Sequence, residues 1–314
     1  MTTVGIIGTG LIGRAWAIVF ARAGNRVHLL DATPVVAEAG LNLIRSSLDD
    51  LAGAGLLDEP PATVLGRIRV AADLGDAVAQ ADYVQENLPE QLDLKRQIFA
   101  DLDRTAPADC VLASSTSAIP GSAFTESLSG RHRCLVAHPV NPPHLVPLVE
   151  LCRTPWTADD TVTRTRTLME QVGQVPITVE REIEGFILNR LQGALLNEAL
   201  RLVAGGYVNP EDLDKTVRDG LGLRWSFMGP FETIDLNAPG GVPDYAARYG
   251  GFYGRLESNP LPPAGWTDPV IETITTARRS NLPSDRLAER QAWRDRRLMA
   301  LLAHRKAAAS REPK

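Results

Sequence analysis

The chain has 314 residues and a mass of 34.0 kDa, with 44% apolar and 23% charged residues. That composition excludes intrinsic disorder as the main state and is long enough for about two domains. The net charge of −5 and a pI near 5.6 argue against a broad attraction to nucleic acid or to an anionic membrane surface. No apolar run approaches the about 18 residues of a membrane span, and the chain enters an apolar run at Val4 without a basic leader, so neither a span nor a secretory signal is expected. Cys110, Cys134 and Cys152 are odd in number and lack metal-ligand spacing; they read as buried reduced thiols of a cytoplasmic protein with no metal site.

Short β-rich runs alternate with helical stretches through the first half. Val4–Ile7 leads into a helical pattern over Leu11–Ala23, and Val27–Leu30 follows. Further strands are expected at Ile68–Ala71, Tyr83–Gln85, Val111–Ser114, Cys134–Ala137, Val146–Leu151 and Val175–Val179, with helices over Gln91–Arg104 and Ala158–Val172. Such alternation predicts a doubly wound, Rossmann-like α/β domain over residues 1–184. After Glu184 the pattern turns helical: Gly185–Val203, Pro210–Gly220, Pro269–Arg279 and Asp285–Leu302, with Pro260, Pro262 and Pro263 as punctuation. Residues 185–314 therefore read as an all-helical domain, with Trp293, Met299 and Leu302 forming an apolar face suited to core or dimer packing. The tail from Ala307 to Lys314 reads as frayed.

Gly8-Thr9-Gly10-Leu11-Ile12-Gly13 follows a strand and opens a helix, the setting in which this glycine spacing binds a dinucleotide. Gly8 allows the tight turn, Gly10 lets backbone approach a pyrophosphate, and Gly13 lets helix and strand pack closely. The helix N-terminus, at Leu11 and Ile12, offers N–H groups to phosphate. Asp31 ends the second strand, where a carboxylate accepts hydrogen bonds from ribose hydroxyls and repels a 2′-phosphate. Ala32, Thr33 and Pro34 supply no arginine, so the expected cofactor is NAD and not NADP.

His138 closes the run Cys134–Ala137 and is followed at once by Pro139 and, after Asn141, by Pro142 and Pro143, which places it at the sheet's rim. Glu150 lies inside an apolar strand, where a carboxylate needs a partner. If the two strands are neighbours, the pair can act as a base with its orienting carboxylate. The residues alone leave a satisfied structural histidine about equally open. They also leave Ser114-Ser115-Thr116-Ser117 as a polar turn and Asn189 as an ordinary exposed helix residue.

Taken in order, the glycine turn, Asp31, Glu86–Glu90, Ser114–Ser117, His138–Pro143, Glu150 and Gly185–Arg190 resemble the 3-hydroxyacyl-CoA dehydrogenase superfamily from about residue 3 to at least 240. The resemblance implies a catalytic His138–Glu150 pair, Ser117 and Asn189 on the reacting oxygen, and nicotinamide-side contacts from Glu90, Lys95 and Asn141. It also implies a helical domain that carries most of a homodimer interface. The segment Gly220–Glu232 is longer than the superfamily's usual Tyr-Pro-Met-Gly-Pro-like stretch and adds Arg224; in this it is similar to the L-gulonate 3-dehydrogenase (lambda-crystallin) branch and, more distantly, to L-carnitine dehydrogenases. Arg224 then reads either as a fork for a substrate carboxylate or as half of a surface salt bridge. The expected activity is NAD-dependent oxidation of the 3-hydroxyl of a small 3-hydroxy acid such as L-gulonate. The alternatives are an acyl-CoA or carnitine substrate, or a structural role of the kind a lens crystallin fills.

Overall fold

A computed structural model describes residues 1–258, 260–262 and 265–309 of the chain; Pro263 and the tail beyond residue 309 lie outside the described residues. The chain forms two compact units. One holds Met1–Asn189 together with the chain from Gln291 onward, and the other holds Arg190–Arg290.

The first unit is built on eight strands: β1 (Thr3–Ile7), β2 (Arg26–Leu30), β3 (Ile68–Val70), β4 (Tyr83–Glu86), β5 (Val111–Ser114), β6 (Cys134–Pro139), β7 (Leu148–Arg153) and β8 (Val175–Val179). They form one sheet in the order β3-β2-β1-β4-β5-β6-β7-β8, parallel except where β7 runs against β6. Strand order reverses between β1 and β4, and ligands of such sheets bind outside the carboxyl ends of the strands at that switch. β1 is buried along its whole length, which is why it reads as an unbroken apolar run. Helices α1 (Leu11–Arg22), α2 (Pro34–Gly53), α3 (Pro61–Leu65), α4 (Leu74–Val78), α5 (Leu92–Thr105), α6 (Ser122–Thr125) and α7 (Asp159–Gln171) complete the layers.

Every expected strand is present, but β7 starts at Leu148 and not at Val146. The N–H groups of Leu145 and Val146 both bond to the Pro142 carbonyl, so this stretch is a turn, and Pro147 has no N–H to offer a neighbouring strand. The 20-residue helix α2 was not evident from apolar spacing. Its start signals are nevertheless clear: Thr33 accepts a hydrogen bond from the Val36 N–H, and Pro34 occupies the first turn.

The second unit is helical among its described residues. It contains most of α8 (Leu188–Ala204), then α9 (Pro210–Lys215), a π-helical stretch Thr216–Leu221, α10 (Gly222–Trp225), α11 (Pro230–Leu236), α12 (Gly241–Ser258) and α13 (Asp268–Asn281). The single helix expected over Pro210–Gly220 is thus a short α-helix that widens into π geometry. Gly250, Gly251 and Gly254 lie inside α12, and interior glycines weaken the helical pattern by which it would be read.

The last helix, α14 (Leu287–Ala309), reaches beyond the start of the expected frayed tail. Sequence spacing assigns it to the helical domain of residues 185–314, whereas from Gln291 onward it belongs to the first unit. Met299 is buried in the core that holds Trp16, Phe20, Ile44 and Leu48, with Leu298 and Leu302 against it. Among the described residues no helix is long and apolar enough to cross a membrane, and no cluster of His, Cys, Asp or Glu suits a metal ion. Replacing Met299 with Ala is expected to lower the unfolding free energy by about 2–5 kcal/mol, as for other buried methionines. A reduced urea midpoint with unchanged slope would show it.

Candidate active site

The strand–turn–helix at the amino end forms a cradle for a dinucleotide. Gly8 has φ +90, and a β-carbon there would lie 2.9 Å from the Asn87 carbonyl oxygen. A β-carbon on Gly13 would lie 1.9 Å from the Gly8 carbonyl oxygen, so helix α1 could not pack on the turn. Gly10 is different: nothing stands within 4 Å of its β-position, which leaves its face open where a phosphate would approach. Leu11 and Ile12 head the 12-residue helix behind it. Asp31 is tied to this turn, its Oδ2 accepting both the N–H and the hydroxyl of Thr9 at 2.6 Å and its Oδ1 the N–H of Ala32 at 2.7 Å. Burial alone would raise its pKa, but these three hydrogen bonds outweigh burial and hold the carboxyl below its usual range. The residues fit NAD. Thr9 was not singled out by sequence, because the second position of the motif carries no required residue type.

The loop Ser114–Ser117 follows β5 and is fixed residue by residue. Ser114 Oγ donates to Glu86 Oε2 at 2.5 Å. Ser115 Oγ accepts from Trp16 Nε1 (3.1 Å) and Gln85 Nε2 (2.7 Å) and donates to Asn87 Oδ1 (2.8 Å), so its hydroxyl links helix α1 to β4 and the chain just after it. Thr116 Oγ1 donates to Glu90, which also accepts from the N–H groups of Ser117, Ala118 and Ile119. Burial pushes Glu90 up, yet the Thr116 hydroxyl, the loop N–H groups and the charge of Lys95 bring it below its ordinary value. Trp16, Gln85 and Asn87 were not expected here; they lie on separate elements, and only register brings them together.

Lys95 is placed in the interior. It is 1% exposed, and its Nζ donates to both oxygens of Glu86 at 3.0 and 3.1 Å and to the Leu88 carbonyl at 3.4 Å. Its three donors are thus turned to β4 and the loop after it. Glu90 is turned to the Ser117 loop, while Asn141 is exposed and lines a cavity of about 200 Å³ with Leu11 and Arg14 at the dinucleotide turn.

The strongest convergence is at the end of β6. Antiparallel pairing sets His138 opposite Glu150, with Nδ1 2.8 Å from Oε2. Glu150 is fully buried, and its other oxygen accepts the N–H groups of Ile187 and Leu188 at 2.8 and 2.9 Å, at the head of α8. Burial raises the Glu150 pKa, but the His138 contact and these two N–H groups outweigh it, so the carboxyl lies below its usual value. A carboxylate accepting from Nδ1–H leaves Nε2 free to accept a proton. The Phe186 ring lies 5.3 Å from the imidazole, centre to centre. Asn189 Nδ2 donates to the Ser117 carbonyl at 3.1 Å, so these two positions meet, as do His138 and Glu150. Arg224 belongs to the second unit, exposed on α10, and it has no ion-pair partner among the described residues.

Residues 3–183 match the family model described as 3-hydroxyacyl-CoA dehydrogenase, NAD binding domain, and residues 185–268 match that of the 3-hydroxyacyl-CoA dehydrogenase C-terminal domain. A lambda-crystallin homolog of Bos taurus is 45% identical over 95% of this chain and 94% of its own length. An L-carnitine dehydrogenase of Streptomyces griseus subsp. griseus is 38% identical over 91% of this chain and 86% of its own. Among solved structures, 5-formyl-3-hydroxy-2-methylpyridine 4-carboxylic acid 5-dehydrogenase, an NAD+-dependent dismutase, superimposes with a TM-score of 0.82 at 29% identity, covering 99% of this chain and all of that one.

Lys95→Met strands the Glu86 carboxylate in the interior. Its main effect is expected on stability, a loss of about 3–5 kcal/mol in chemical denaturation. NADH affinity of the folded fraction should stay close to that of the parent, which a direct cofactor contact would not allow.

Proposed function

The chain belongs to the 3-hydroxyacyl-CoA dehydrogenase family of NAD-dependent oxidoreductases, and from that premise we propose that it oxidises the 3-hydroxyl of a small free 3-hydroxy acid, L-gulonate foremost. The observation that carries the chemistry is the 2.8 Å contact between His138 Nδ1 and Glu150 Oε2. His138 Nε2 takes the hydroxyl proton, and Glu150 fixes the tautomer and stabilises the imidazolium. Ser117 and Asn189 hydrogen-bond the reacting oxygen as charge develops on it. NAD, when bound, supplies the hydride acceptor. Gly8, Gly10, Leu11, Ile12 and Gly13 hold its phosphates and Asp31 its ribose. Asn141 serves the nicotinamide side directly, whereas Glu90 and Lys95 serve it by holding the Ser114–Ser117 loop and the chain after β4.

The choice of a free acid rests on Arg224. A free hydroxy acid presents a carboxylate near its reacting carbon, while a thioester is neutral there; an arginine with no ion-pair partner among the described residues suits the former. Trp225, half-exposed beside it, and the L-carnitine dehydrogenase relative favour L-carnitine as a second reading, since an aromatic face attracts a quaternary ammonium. The buried thiols of Cys110, Cys134 and Cys152 suit a reducing cytoplasm.

The second unit also supports a homodimer. Of its described apolar side chains only Leu200, Ala238 and Val270 are buried, while Leu223, Phe227, Phe231, Leu236, Phe252 and Leu256 are exposed. So much apolar surface marks an association site. Light scattering on the purified chain is expected to give twice 34.0 kDa, and Phe231→Glu with Phe252→Glu to give the monomer.

A panel of NAD reduction with L-gulonate, L-carnitine, 3-hydroxybutyrate and 3-hydroxybutyryl-CoA tests the substrate. L-gulonate should be turned over best, and Arg224→Met should raise its KM by about ten- to a hundredfold, the loss of hydrogen bonds to a charged group. Preference for the CoA ester, with Arg224→Met unchanged, would overturn this reading. His138→Gln should retain NADH binding and lose about two to four orders of magnitude in turnover.

A further inference from the structure

Gly185 and Phe186 are consecutive left-handed residues, with φ of +77 and +48. Glycine adopts this conformation freely, but phenylalanine does not, and Phe186 is the one non-glycine residue among the described residues with positive φ. Unfavourable backbone of this kind persists only where its surroundings over-determine it, and it concentrates at functional sites. Here two independent contacts depend on it. The turn brings the N–H groups of Ile187 and Leu188 onto Glu150 Oε1 at 2.8 and 2.9 Å. The ring of the same residue, 1% exposed, packs at 5.3 Å against the imidazole of His138.

We propose that Phe186 is a positioning residue for the His138–Glu150 base: its backbone aims two amides at the carboxylate, and its ring walls the imidazole. This rests on His138 being the base. With one Glu150 oxygen occupied by amides, the other is held toward Nδ1, which keeps Nε2 as the proton acceptor. The ring blocks rotation of the imidazole away from that line and excludes water from one of its sides. Neither contact reaches the dinucleotide turn, so the residue should affect turnover and leave cofactor binding alone.

Three variants separate the backbone from the ring. Phe186→Gly keeps the left-handed turn and loses the wall. Phe186→Val loses the wall and adds a β-branched residue that resists positive φ. Phe186→Leu keeps most of the volume and guards against a failure to fold. The full chain is assayed with NAD and L-gulonate, or with L-carnitine if the parent prefers it, alongside NADH fluorescence titration and thermal unfolding. NADH affinity and KM are expected within about threefold of the parent in all three, while kcat per folded molecule falls about tenfold or less in Leu, about tenfold in Gly and about a hundredfold in Val, inside the range that general-base catalysis supplies. Valine fills more of the space but carries the strain of positive φ, so kcat per folded molecule of the two variants is read against their measured stabilities. A merely structural role would make kcat follow stability. Val equal to or above Gly in kcat, or parental kcat in all three, overturns the proposal. His138→Gln in the same assay keeps the two ideas apart: retained turnover there overturns the base itself, whereas lost turnover there with parental kcat at Phe186 overturns only the positioning role.

Discussion

Glu150 holds an ionised carboxylate where water does not reach, and much of the first unit's architecture serves to make that tolerable. Three elements contribute. β6 must run against β7 in the register that sets His138 opposite, the chain leaving β8 must turn back through Gly185 and Phe186, and α8 must begin at the carboxylate so that its first amides are used. The one antiparallel pairing in an otherwise parallel sheet has its reason here. A parallel neighbour would arrive by a long crossover, whereas the short excursion through Pro142 and Pro143 returns the chain at once with Glu150 at the proper height.

The same economy governs the loop after β5. Its four hydroxyl-bearing residues look interchangeable, yet each is bound to a different element: Ser114 to β4, Ser115 to α1, Thr116 to Glu90, and Ser117, through its carbonyl, to Asn189. Helix α1, which follows the glycine turn, and the loop that carries Ser117 are therefore joined through one hydrogen-bonded hydroxyl at Ser115. A small residue suffices because the hydroxyl accepts twice and donates once, and all three positions are filled.

Much of this was legible in the residues. Apolar runs mark the eight strands, most clearly β1, β4, β5 and β6, which are buried along their whole length and so have no polar side to obscure them. The glycine turn and Asp31 have a spacing that backbone geometry demands, and the meeting of His138 with Glu150 follows once their strands are neighbours. Other features depend on register or on local conformation and leave no such trace. Nothing in the composition of Lys95 or its neighbours tells that its ammonium points inward to Glu86. A phenylalanine with positive φ is likewise invisible, since no propensity favours it at Phe186. The placing of α14 went astray for a related reason: the apolar face of Met299 and Leu302 shows that the helix packs, but not on what.

That last helix has a consequence for how the protein is made. The first unit is discontinuous in the chain, and the side chain that fills its core at Met299 is synthesised after the about one hundred residues from Arg190 to Arg290. At ordinary translation rates, about 5–20 residues per second, the nascent first unit waits some seconds, roughly 5–20, without the Met299 side chain in its core. During vectorial synthesis the first unit cannot be completed before the second has been made. The helix that carries Met299 therefore sets when the core of the first unit can close.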